Sequence, residues 1–226
     1  MDFGTMLKDS YEYTKEALWG KWTRWLILLV STIVFPLIYG YFVRIMRGTT
    51  PAPDTDNLIR MFIEGIVLLV IYIVYAIPVY LVAFIGMLLY FIPASVTSGP
   101  VPVGDAATST GTSAGLIVVV ILAILIVLLA IAVGLIANFG GIRYARTGRF
   151  GEAFNIRAIT RHIGEVGWLS YFVALIIVGI VIGIVEFVLM LIPVIGWLLL
   201  FVLTPAFAIF SIRYVTQIYD SAPAPA

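Results

Sequence analysis

Apolar residues run in long blocks along this chain, and charged residues are confined to the gaps between them. Blocks at about 25–43, 66–92, 115–137, 167–191 and 195–215 each approach or exceed the roughly 20 residues that carry a helix across a bilayer. They predict five spans. Pro36 removes a backbone donor inside the first block and predicts a kink there. The second block is longer than one crossing needs, so it either tilts or breaks near Pro78 into two half-helices. Pro193 and Gly196 predict a tight turn into the last span. Ahead of the first block, Phe3, Met6, Leu7, Tyr11, Leu18 and Trp22 recur at three- and four-residue steps, with Lys8, Asp9, Glu12, Lys15 and Glu16 on the other face. Residues 1–24 therefore read as an amphipathic helix, either lying in the membrane interface or packed on the protein's own surface. Trp19, Trp22 and Trp25 suit headgroup depth. Residues 93–114 are small and polar and read as a flexible loop; residues 220–226 read as a flexible tail.

Composition sets the solvent. The chain has 226 residues, of which 62% are hydrophobic and 11% charged, and a mean hydropathy of +1.14. Soluble domains are about a quarter charged, so this is an integral membrane protein, an all-α polytopic bundle. A net charge of +1 supplies no field that would gather nucleic acid. The absence of cysteine excludes disulfides, thiolate chemistry and cysteine-bound metal.

The cations set an orientation. With five spans, one side carries Arg44, Arg47, Arg60, the five arginines of 143–161 and Arg213, against Lys8, Lys15, Lys21 and Arg24 on the other. A Lys/Arg excess marks the cytoplasmic face, which places the N-terminus outside and the C-terminus inside. A re-entrant hairpin in place of the first span would move the N-terminus inside.

An internal repeat is also legible. FVRIMRG at 42–48 aligns with GIRYARTG at 141–148, matching Arg44 with Arg143 and Arg47 with Arg146. LIRMFIEG at 58–65 aligns with AITRHIGEVG at 158–167, matching Arg60 with Arg161 and Glu64 with Glu165. Each copy reads as a span, Arg-x-x-Arg, a Gly- or Pro-rich turn, a short amphipathic helix and a span. Repeat one covers about 25–92 and repeat two about 115–191, in parallel orientation.

The run from Gly40 to Pro78 resembles a prokaryotic, mainly archaeal, membrane family known as domain of unknown function 4013. The resemblance rests on Gly40, Tyr41, Arg44, Arg47, Pro53, Asp54, Asp56, Gly65, Tyr75 and Pro78. Further on it rests on Ala153-Phe154 and on the run Ile192 to Trp197. Asn57-Leu58 stands where the family usually has an aromatic. The resemblance implies a helical bundle and no established activity.

No catalytic constellation emerges. One histidine, His162, and no acidic cluster of ligand spacing argue against a metal site, and no cofactor is expected. His162 has no plausible nucleophile near it in sequence, and Gly140-Gly141 lacks the strand and Gly-Lys-Ser/Thr of a nucleotide loop. Arg44, Arg47, Arg143, Arg146, Arg149, Arg157 and Arg161 are candidates for anionic lipid headgroups, because guanidinium forks bind phosphate in bidentate fashion. Arg143, Arg146 and Arg149 are spaced to share a helix face, as are Arg157 and Arg161. The alternative is that they set topology and pair with Glu152, Glu165, Asp54, Asp56 and Glu64. Glu186 lies inside a span, where it is either a proton or cation site or a carboxylate reaching the interface or bonding Thr204. Gly179 and Gly183 form a small-residue pair that suits close helix packing, within the chain or between copies. The function expected is a non-enzymatic scaffold or assembly partner that contacts membrane lipids, as a homo-oligomer or with another membrane protein. The alternative is a transporter or channel component working at Glu186.

Overall fold

A computed structural model describes the backbone of residues 2–97 and 108–222, and the side chains of 2–88 and 117–222. The described elements are helical: α1 (Phe3–Leu18), α2 (Trp22–Ile33), α3 (Phe35–Met46), α4 (Leu58–Thr97), α5 (Thr108–Thr147), α6 (Ile156–Val166), α7 (Trp168–Met190) and α8 (Ile195–Asp220), with a 3₁₀ turn at Phe150–Phe154. Four helices contain stretches long and apolar enough to cross a bilayer: Leu58–Leu88, Ile117–Thr147, Trp168–Met190 and Ile195–Asp220. Most of their large apolar side chains face outward, as a lipid solvent allows. The bundle is therefore helical and membrane-embedded, as composition required.

The first apolar block does not form one span. It divides into α2 and α3, of 12 residues each. At 1.5 Å per residue each is about 18 Å long, well short of a hydrocarbon core of about 30 Å. Val34 is the only residue between them, and Pro36 sits in the first turn of α3, where its missing N–H has no helical partner to lose. Pro36 thus starts a helix rather than kinking one. Both open ends of this hairpin meet the same loop. Arg24, near the start of α2, forms an ion pair with Asp54. Arg44, near the end of α3, donates to the carbonyl oxygens of Asp54 and Asp56, each at 2.6 Å. Two glycines let α3 lie directly on α4: a Cβ on Gly40 would overlap the carbonyl of Met61, and one on Gly65 would overlap that of Pro36.

The N-terminal helix packs on the protein's own surface. Asp2 caps it, accepting from the N–H of Gly4 at 3.0 Å and of Thr5 at 3.2 Å. Its buried face, Ser10, Tyr13, Ala17 and Leu18, joins a core with Ile38, Tyr41, Ile45, Met61 and Ile209. Arg213 of α8 donates to Asp9 at 2.9 Å, and Gln217 donates to Ser10 at 2.7 Å and to the carbonyl of Met6 at 3.2 Å. The Tyr13 hydroxyl donates to the carbonyl of Thr49 at 3.0 Å, and burial raises its pKa to about 12. These contacts hold α1 against the end of α8. The N-terminal helix thus meets both the end of α8 and the first arginine loop.

Two further expectations change. The second apolar block stays helical through Pro78 and Pro93 to Thr97, and α5 resumes at Thr108; the rest of the expected 93–114 loop, 98–107, lies outside the described residues. So does 223–226 of the expected tail. The short helix expected at 58–65 is continuous with α4, whereas its counterpart α6 is separated from α7 by Gly167, with φ +95°.

Two compact units make up the chain, Met1–Tyr72 with Ile136–Ala226, and Ile73–Leu135. Within the second, Gly86 leaves room for the Leu122 side chain. All sites described below lie in the first.

Candidate functional site

The arginine motifs at the ends of α3 and α5 come together. Arg47 Nε donates to the carbonyl of Ala145 at 3.3 Å, and Arg146 Nε donates to the carbonyl of Met46 at 2.7 Å. In the sequence alignment Arg47 matches Arg146 and Met46 matches Ala145, so the bonds are reciprocal. Each helix ends on a glycine with positive φ, Gly48 at +78° and Gly148 at +67°, which turns the chain and leaves terminal carbonyls open to the other motif's guanidinium.

The remaining donors of these arginines are also engaged. Arg47 holds Glu64 in a two-pronged contact at 2.9 and 3.2 Å, and Arg60 reaches the same carboxylate at 3.0 Å. Arg146 grips both oxygens of Asp220, at 2.7 and 2.8 Å. Arg143 is 7% exposed and donates to Glu152 at 2.8 Å. That donation, with smaller help from Asn155, holds the Glu152 carboxyl below the ordinary glutamate range despite desolvation. Arg44 is satisfied by loop carbonyls. The sequence offered Glu64, Glu152 and Glu165 as partners, but not Asp220 or Asp9, which stand 74 and 204 residues from their arginines. Nothing local marks such pairs.

Arg149, Arg157 and Arg161 stand apart. Arg149 does not share a face with Arg143 and Arg146, because α5 ends at Thr147 and Arg149 is extended, with φ −108° and ψ 117°. Arg157 and Arg161 are exposed on α6, which buries Ile159, His162 and Ile163 on its opposite side. Arg161 donates to Glu165 at 3.2 Å. Among the described residues, the side chains of Arg149 and Arg157 have no ion pair or hydrogen bond. Phe150 and Ile156, 46% and 44% exposed, lie beside them in sequence. His162 is not in an open loop. Its Nε2 lies 2.8 Å from the carbonyl of Tyr219; a carbonyl only accepts, so Nε2 carries the proton. Its ring packs on Phe139 and Tyr219.

At the other end of α7, Glu186 lines an open groove of about 760 Å³ between α7 and α8. Thr204 lines it too, but its hydroxyl donates to the carbonyl of Leu200 in its own helix at 2.9 Å. Among the described residues Glu186 has no hydrogen bond or ion pair. Among the described residues, a Cβ on Gly179 or Gly183 would meet nothing within 4 Å. Among the described residues, no group of three His, Asp or Glu is placed to hold a metal ion.

No curated protein and no solved structure matches the chain. One family model does, over residues 25–194, from the α2–α3 hairpin to the turn before α8. That range covers the Arg-x-x-Arg motifs of both α3 and α5, and the chain belongs to the family described as Protein of unknown function (DUF4013).

Proposed function

We propose that this integral membrane protein is a non-enzymatic scaffold or assembly partner that rests one end on anionic lipid headgroups. The observation that carries the reading is the exposed surface of Arg149, Arg157 and Arg161 beside exposed Phe150 and Ile156. Arg149 and Arg157 have no carboxylate partner among the described residues and Arg161 shares only the exposed Glu165, so their guanidinium groups suit phosphate, and neighbouring apolar side chains suit the acyl boundary. Arg44, Arg47, Arg143 and Arg146, by contrast, hold the protein's own loops and serve the scaffold itself.

The hairpin supports an orientation. With four crossings and a re-entrant α2–α3, every Lys and Arg of the chain falls at one end. None lies between Arg60 and Arg143 or between Arg161 and Arg213. By the positive-inside rule that end is cytoplasmic and both termini are inside. The reciprocal Arg47 and Arg146 bonds support descent of the two halves from one duplicated unit, since a two-fold relation pairs unlike positions reciprocally.

The test uses nanodiscs of neutral lipid with increasing anionic lipid, and counts retained anionic lipids by native mass spectrometry. Wild-type protein is expected to retain them, and Arg149→Glu/Arg157→Glu/Arg161→Glu to lose them while staying folded. Equal retention by both proteins would overturn the lipid contact.

A second reading, a transporter component working at Glu186, draws on the placement of that carboxylate in the groove. Proteoliposomes in which Glu186→Gln abolished a proton or cation flux would favour it.

A further inference from the structure

We propose that the groove between α7 and α8 binds a monocationic amphiphile, with its ammonium group against Glu186 and its hydrocarbon body along the groove. The proposal is independent of lipid contact at the arginine end.

Charge complementarity selects the occupant. Glu186 is an exposed carboxylate that lines the groove with Phe187, Trp197, Leu200 and Phe201, and a charge facing lipid within a span is favoured by a partner. The chain cannot supply the pair. Arg161 and Arg213 are the nearest cations in sequence, and they are engaged by Glu165 and Asp9. A second copy in the same orientation cannot supply it either, because its membrane-spanning stretches carry no Lys or Arg at this level. The cation must come from another molecule.

The surroundings narrow its chemistry. Aromatic faces beside a carboxylate suit an ammonium ion, which the ring quadrupole also attracts. A headgroup phosphate has no cation to receive it here and would meet Glu186 instead, which disfavours a zwitterionic phospholipid. The depth fits a charged head with a tail. Glu186 is one turn before the end of α7 at Met190, about 6 Å along the helix, and Trp197 in the first turn of α8 is 64% exposed. Thr204 and Ser211 continue the groove further along α8. A volume of about 760 Å³ suits a small amphiphile better than a whole helix, since ligand pockets run from roughly 300 to 1,000 Å³. Gly183 lines the groove and faces open space, so the approach to Glu186 is clear.

The experiment titrates the protein in neutral-lipid nanodiscs with 12-bromododecyltrimethylammonium and reads quenching of Trp197, taken as the difference between wild type and Trp197→Phe. The neutral control is 12-bromododecanol. Saturable quenching by the ammonium probe is expected, with the alcohol giving only a linear rise. Glu186→Gln is expected to weaken the ammonium response roughly tenfold or more, the loss of a charged partner, without changing the alcohol response. Glu186→Asp is expected to retain it. Gly183→Leu, which adds bulk where there is room, is expected to block it while the protein elutes as wild type. An ammonium response that is the same in Glu186→Gln would overturn the proposal. So would a protein partner captured by a photo-crosslinker at position 186, which would give the groove to a neighbouring helix.

Discussion

Glu152 shows how one arginine at a helix end can fix a loop. Arg143 donates to its carboxylate, and this outweighs the opposing effect of desolvation. The folded state thus binds the Glu152 proton less tightly than the unfolded chain. The stabilisation is complete above the ordinary glutamate value of 4.5 and is lost as pH falls through the depressed one. Thermal unfolding followed from pH 7 downward is expected to show a steeper loss below about 4.5 in wild type than in Glu152→Gln. A second residue carries backbone strain. Val194 has φ +63° and ψ −58°, and Ile195 N–H donates across it to the carbonyl of Pro193 at 2.7 Å. This is a γ-turn of the rarer hand, at a β-branched residue. Val194 is 82% exposed, so Val194→Gly removes little packing. It is expected to raise stability by about 1 kcal/mol, measured as a higher unfolding temperature. The Pro193 and Gly196 signals announced a turn, but not that a valine would take its strained position, since valine offers no local preference for it.

At the scale of elements, close contacts divide into those made possible by glycine and those made by arginine. Gly65 lets Pro36 of α3 approach the α4 backbone, and Gly65→Ala is expected to destabilise by about 2 kcal/mol, because a methyl there must displace backbone rather than a mobile side chain. The reciprocal bonds of Arg47 and Arg146 form between α3 and α5. A double-mutant cycle of Arg47→Ala and Arg146→Ala is expected to show a coupling on the order of 1 kcal/mol; strict additivity would mean that the two bonds act separately. The apolar blocks announced the four long helices. They did not announce the break at Val34, because a run of apolar residues reads alike as one span or as two short helices joined by a turn. Pro36 fits both, and the ion pair of Arg24 with Asp54 is too distant in sequence to signal the return.

For the whole molecule, the proposed return of α2 and α3 puts the N-terminus on the cytoplasmic side. The chain has no native cysteine, so single substitutions report cleanly. Glu12→Cys and Arg149→Cys are expected to react with a membrane-impermeant maleimide from the same face, the cytoplasmic one, and Val194→Cys from the other. Labelling of Glu12→Cys from the face that labels Val194→Cys would place α1 at the far end and contradict its packing on α8.

The sequence by itself determined the solvent and the helical class, since a chain this apolar must satisfy its backbone internally within the bilayer. It also determined where cations gather, because their confinement to the gaps follows from the cost of charge in hydrocarbon. The tertiary structure alone decided which arginines are engaged and which, among the described residues, have no partner. Whether a guanidinium meets Asp220, the carbonyl of Met46 or open surface depends on helices distant in sequence arriving at one end. It also decided that Glu186 faces an open groove, because α8 lies beside α7 and, among the described residues, brings that carboxylate no partner.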